Sequence, residues 1–197
     1  MDIMKTLLNQ LGDDGISEMA SKVGANKEQT SSALEGIMPT LLNAMSANSK
    51  SKDGANGLLG ALDRDHDGSV LDDLPSYLQK DDHEDGGKIL KHVLGEKQGN
   101  VEEGLSMKTG LGGNQINKLM KMAAPLLMGF LGKQKKSASS GGGFDLGSIS
   151  SLLGGFAKDA DKATGLDLGD VMDLVGGLGG GSKKGGIGGL LGNLFGK

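Results

Sequence analysis

Three aspartates at alternate positions, Asp63, Asp65 and Asp67, are followed directly by Gly68. Alternate residues in a tightly wound loop point their carboxylates at one centre, and three like charges held that close need a hard cation to offset them. A divalent ion is the chemistry this spacing suits, and a glycine at the sixth place allows the sharp turn that winds the chain around it. Ser69 would then present its backbone carbonyl at the seventh place, and Val70 fills the apolar eighth.

Counted from Asp63, the stretch is an EF-hand-type loop as far as Val70 and departs from one beyond it. The twelfth place, where a bidentate Glu is expected, holds Leu74, with Asp72 and Asp73 at the tenth and eleventh. Leu74 opens the apolar face of the next helical segment, so Asp73 is the residue expected to close a shortened site. The expected ligand set is Asp63, Asp65, Asp67, Ser69 and Asp73. Calcium is the expected ion, with magnesium second because it prefers fewer carboxylates and retained waters. A single loop lacking its Glu belongs at the weak end of the range, with Kd on the order of 10⁻⁵ to 10⁻³ M. The competing reading is a solvated acidic turn, since Asp and Gly are common turn formers. Alternate spacing between two apolar helical segments favours the metal loop.

Other candidates for chemistry are weaker. Asp81, Asp82, Glu84 and Asp85 lack the alternate spacing and read, through Gly87, as an exposed loop. His66, His83 and His92 are scattered without zinc-ligand spacing. Cysteine is absent, and no Ser or Thr is set by motif against a His and an acid. The run Gly110-Leu-Gly-Gly113 follows a helical segment and lacks the Lys-Thr/Ser ending of a phosphate loop, so it reads as a helix stop. A non-enzymatic protein is expected.

The elements that position the loop follow from composition and pattern. With no Trp, one Tyr and four Phe among 197 residues, the core must rest on Leu, Ile, Val, Met and Ala, a helical palette. The net charge of −4 is uneven: residues 53 to 85 hold ten acids against Arg64 and Lys80, a local balance of −8. Arg64 is the only arginine, so the bidentate forks that read phosphates and guanine edges are missing and nucleic acid is not an expected partner. No stretch approaches the roughly 20 apolar residues that span a bilayer, and no secretory signal is visible. A cytoplasmic protein is the expectation, with leaderless export as the alternative.

A shift of 86 residues brings out an internal repeat. Met19-Ala-Ser-Lys-Val-Gly24 lies over Leu105-Ser-Met-Lys-Thr-Gly110, and Gln29, Pro39 and Leu41 lie over Gln115, Pro125 and Leu127. Each copy reads as a helix, a Gly stop and a longer helix. In the first, Asn26 is the expected N-cap with Gln29 at the capping-box place. Pro39 and Pro125 should kink or break the long helices. The fold expected is therefore all-α, with seven or eight helices. Two helical repeats, at about residues 1–50 and 87–136, are joined through the acidic loop at 63–74.

Residues 137–197 carry 19 of the 37 glycines in under a third of the chain and read as a flexible Gly-rich tail. Within it Leu146, Ile149, Leu152, Leu153 and Phe156 form a short amphipathic set. Leu190, Leu191, Leu194 and Phe195 lie near Lys183, Lys184 and Lys197. Such segments suit contact with a membrane surface or with another copy of the chain, the alternative to a cation-binding structural or interaction role.

The phrases Gly87-Lys-Ile-Leu-Lys-His-Val-Leu-Gly95, Leu105-Ser-Met-Lys-Thr-Gly-Leu111 and Ala124-Pro-Leu-Leu-Met-Gly-Phe-Leu-Gly132 resemble the bacterial family called domain of unknown function 937. The resemblance covers about residues 1 to 135, and relatives with an Asp-x-Asp-x-Asp-Gly-Ser-x-Leu-Asp-Asp loop belong to the same pattern. It implies a helical fold, a bacterial origin and no established activity.

Overall fold

The computed structural model describes residues 3–64, 68–81, 83–139, 147–148, 151 and 153–155. Among the described residues every regular element is helical, as the aliphatic palette requires. In chain order they are α1 (Ile3–Val23), α2 (Lys27–Asn48), α3 (Lys52–Arg64), a 3-10 turn (Ser69–Leu71), α4 (Leu74–Gln79), α5 (Glu84–Leu94), a second 3-10 turn (Gly95–Lys97), α6 (Gln98–Thr109) and α7 (Gly113–Ser139).

Helix α7 is the axis of the structure. A helix of 27 residues is about 40 Å long, and from 119 to 132 every residue except Lys121 is buried. A helix apolar all round must lie inside the molecule, and α1, α2, α3, α5, α6 and the first 3-10 turn all pack on it. Leu34, Ile37, Met38, Leu41 and Leu42 of α2 meet Ile116, Leu119, Met120 and Leu127 of α7 in one continuous core. Methionine is prominent there because an unbranched side chain fills irregular gaps between helices.

The helix junctions follow from glycine and from side-chain caps. Gly24 and Gly110 both take left-handed φ, 67° and 72°, where a Cβ would be strained. Asn26 accepts a hydrogen bond from the Gln29 amide at 2.7 Å while the Gln29 side chain accepts from the Asn26 amide, a full capping box. At the second junction the Gln115 side chain likewise accepts from the Gly112 amide at 2.8 Å, and its amide group donates to the Val23 carbonyl at 2.9 Å, tying the two junctions together. The helices that lead into these two junctions differ: α1 has 21 residues with a non-helical Gly12 (φ 61°, ψ 179°), α6 has 12.

Neither proline breaks its helix. Pro39 lies inside the continuous α2 and Pro125 inside the continuous α7. Each proline deprives the carbonyl four residues earlier of its helical donor. For Pro39 that carbonyl belongs to Glu35, an exposed residue. For Pro125 it belongs to Lys121, and there the neighbouring segment closes in. Gly86 of α5 is buried against it, so near that a Cβ at Gly86 would fall 2.6 Å from the Lys121 carbonyl carbon. The Tyr77 hydroxyl donates to the next carbonyl, that of Met122, at 3.0 Å.

Two expectations are corrected here. The run from Asp81 to Gly87 is not all loop: α5 begins at Glu84, with Glu84 and Asp85 in its first turn, where carboxylates complement the helix dipole. Packing also continues past residue 136, since α7 runs to Ser139 and Leu153 is fully buried in the same core. The other tail segments named above lie outside the described residues, apart from Gly147, Ser148, Ser151, Gly154 and Gly155 near them.

Candidate metal loop and its seat on the central helix

The acidic connection leaves α3 at Arg64 and re-enters the described residues at Gly68. Asp65 and Asp67, the second and third expected ligands, lie outside the described residues, as does His66. Gly68 is buried with φ 98°, the left-handed turn the motif calls for. It sits directly on α7: a Cβ there would lie 3.1 Å from the Gly129 carbonyl oxygen and nearer still to Cγ of Lys133. The approach is bare on the other side as well, because a Cβ on Gly129 would fall 2.5 Å from Cγ1 of Val70. The loop therefore crosses the central helix where both segments carry glycine.

Beyond the crossing, the 3-10 turn is closed by the Leu71 amide on the Gly68 carbonyl at 3.1 Å and the Asp72 amide on the Ser69 carbonyl at 3.0 Å. The Ser69 carbonyl expected at the seventh place thus already accepts one hydrogen bond. Asp73 is the N-cap of α4, with its Oδ1 accepting from the Ser76 amide at 3.3 Å. Pro75 follows in the first turn, where its missing N–H costs no helical bond. Leu78 then anchors α4 in the core. One Asp73 oxygen is engaged, but a carboxylate has two oxygens and about four lone-pair sites, so capping and cation binding are chemically compatible.

Two of the acidic side chains are in contact with lysines of α7. The Asp63 carboxylate accepts from Lys135 Nζ, and Asp72 accepts from Lys133 Nζ at 2.5 Å. The Lys135 side chain is only 13% exposed while Asp63 is 64% exposed. The lysine is largely covered, and the carboxylate opens to solvent. Sequence reasoning did not single out these lysines. The available signal was a basic cluster, Lys133, Lys135 and Lys136, ending an apolar helix in an acidic chain. Among the described residues no three His, Asp or Glu side chains converge as a metal centre would require.

The histidines are dispersed. His92 of α5 faces α3, with Nε2 3.3 Å from where a Cβ on Gly57 would stand. The His83 ring meets Tyr77 at a tilt, 5.6 Å between centroids. Burial, reinforced by the charge of Asp85, pushes the Tyr77 hydroxyl well above its usual range.

A second polar feature is an open cleft of about 440 Å³ between the end of α1, the α4–α5 connection and α7, lined by Lys22, Asp81, His83, Glu84, Lys118, Lys121 and Met122. Lys22 Nζ staples it, donating to Asp81 Oδ1 at 2.8 Å and to the carbonyls of Gln79 and Lys80 at 3.1 and 3.2 Å. The hydrogen bond and charge of Lys22 hold the Asp81 carboxyl below the usual carboxylate range.

Among the described residues no helix is long and apolar enough to cross a membrane. The profile of a family described as bacterial protein of unknown function (DUF937) matches residues 5–134, from α1 through most of α7. No curated protein and no solved structure matches the chain.

Proposed function

We propose that this chain, which belongs to the bacterial family of unknown function DUF937, is a non-enzymatic divalent-cation-binding protein with a structural or interaction role. Calcium is the first expected ion and magnesium the second. The observation that carries the reading is the Asp63-x-Asp65-x-Asp67-Gly68 hexad, which begins in the last turn of α3 and leads to the turn into α4, with Gly68 in the left-handed conformation. Asp63, Asp65 and Asp67 supply the carboxylates, Ser69 its carbonyl, and Asp73 the oxygen not engaged by Ser76.

The role follows from where the loop sits. An ion on the connection between α3 and α4 fixes the one segment that links the α1–α2 half of the chain to the α5–α7 half, at its crossing over α7. Binding to the folded state alone stabilises it by about 2.7 kcal/mol when free ion is 100 times Kd.

The test is isothermal titration of the metal-stripped full-length chain with calcium and then magnesium, beside an Asp63→Ala and Asp65→Ala double variant. A one-site isotherm with Kd on the order of 10⁻⁵ to 10⁻³ M, abolished in the variant, is the expected result. No heat from either ion, with no rise in melting temperature at millimolar ion, would reduce the loop to a solvated acidic turn.

A further inference from the structure

We propose that the cleft between the end of α1, the α4–α5 connection and α7 binds a phosphate group, with the ammonium groups of Lys118 and Lys121 as its ligands. The cleft shares no residue with the acidic connection at 63–73. Its lining carries three lysines, Lys22, Lys118 and Lys121, against two carboxylates, Asp81 and Glu84. Lys22 is committed, since its ammonium already holds Asp81 at 2.8 Å and two backbone carbonyls. Setting that pair aside leaves Lys118 and Lys121 against Glu84. Neither of these lysines makes an ion pair or a side-chain hydrogen bond among the described residues.

Residues three apart on a helix are neighbours on its surface, so the two ammonium groups repel each other. Lys121 is half-buried, and its Cε lies 3.6 Å from where a Cβ on Gly87 would stand. Its ammonium is thereby carried to the first turn of α5, the end of a helix that favours negative charge. An anion between these groups relieves both conflicts. The wall that presents the lysines is held in place, because the Lys121 backbone packs against Gly86 and the Met122 carbonyl accepts from the Tyr77 hydroxyl at 3.0 Å. Little order then has to be lost on binding. A lysine meets an anion as a point charge with three rotatable donors, which suits the several acceptor oxygens of a phosphate. At about 440 Å³ the cleft has room for more than a bare phosphate and falls among small-molecule pockets, roughly 300–1,000 Å³. Met122 offers an apolar side chain to whatever carries the phosphate.

The experiment uses the full-length chain, with inorganic phosphate and glycerol phosphate as the probes at constant ionic strength. Isothermal titration compares the wild type with Lys118→Gln, Lys121→Gln and, as a control, Lys108→Gln, an exposed lysine of α6 outside the cleft. Amine labelling read by peptide mass spectrometry follows the same three lysines without and with phosphate. Saturable one-site binding is expected, weakened about threefold to tenfold by each cleft substitution and unchanged by Lys108→Gln. Phosphate should slow the labelling of Lys118 and Lys121 and leave Lys108 as it was. A tighter hold on glycerol phosphate identifies an organic phosphate as the ligand, and equal affinities identify the free ion; either result upholds the site. Absence of saturable binding by both probes would overturn it, as would an equal loss of affinity in Lys108→Gln, which would mark the attraction as diffuse surface charge.

Discussion

Replacing Gly86 by alanine separates two opposed physical effects. Gly86 is in the first turn of α5, where alanine has the higher helix propensity and on that ground alone would stabilise by up to about 1 kcal/mol. The added Cβ, however, would lie 2.6 Å from the carbonyl carbon and 2.9 Å from the Cα of Lys121, and closer still to the oxygen. All three atoms are main chain of the central helix, so no flexible tip can swing aside. α5 and α7 must part by roughly 1 Å, and overpacking of this kind costs about 1–3 kcal/mol. The upper part of that range applies, because Ile89 and Leu90 of α5 are carried off the core with the helix. The net expectation is a loss of about 2 kcal/mol, which in a domain of this size lowers Tm by about 4–8 °C. Gly87→Ala is the internal control: its Cβ would meet only Cε of Lys121, at 3.6 Å, an ordinary contact with a movable side chain. Urea denaturation of the two variants decides the matter. If Gly86→Ala is as stable as Gly87→Ala, the close approach of α5 to the proline-freed carbonyl is wrong.

Tyr77 is the only tyrosine in a chain without tryptophan, so its tyrosinate absorbance is an unobstructed probe. Its raised hydroxyl pKa means that the neutral form is favoured by folding. The associated stability is complete below the unfolded value of about 10 and is lost as pH climbs beyond it. Alkaline titration should therefore show tyrosinate appearing together with loss of helical circular dichroism, and Tyr77→Phe should cost about 1 kcal/mol through the lost hydrogen bond to the Met122 carbonyl. An early tyrosinate signal from a still-helical protein would contradict the burial. Asp81 carries the opposite sign: its lowered pKa contributes stability above the unfolded value of about 3.9 that disappears as pH falls through the folded one. Asp81→Asn should melt below the wild type at neutral pH, and the two melting curves should converge in acid; a constant gap would exclude the Lys22 pair as its origin.

The helices were legible in the sequence because their signals are local. Asn26 and Gln29 lie three residues apart and cap as expected, Gly24 and Gly110 end helices as expected, and Leu74, Tyr77 and Leu78 do form a short exit helix. What local pattern missed was set by distant partners. Pro125 was expected to kink or break α7; it does not break it, and Gly86 packs over the freed carbonyl while Tyr77 bonds to the next, neither inferable from residues near the proline. The start of α5 was obscured by acids that looked like a solvated loop and instead occupy its first turn. At the candidate site Gly68 was read correctly, while Lys133 and Lys135 went unnoticed because they reach Asp72 and Asp63 across 61 and 72 residues of chain.

The burial of α7 on every side also determines how the protein comes apart. Its amides between 119 and 132 are screened by elements drawn from both halves of the chain, so they can exchange with solvent only when those halves open together. The two stretches that look like separable copies in sequence then make a single cooperative unit, and cutting the chain at the acidic connection would leave each half with an unpaired apolar face rather than a smaller folded protein.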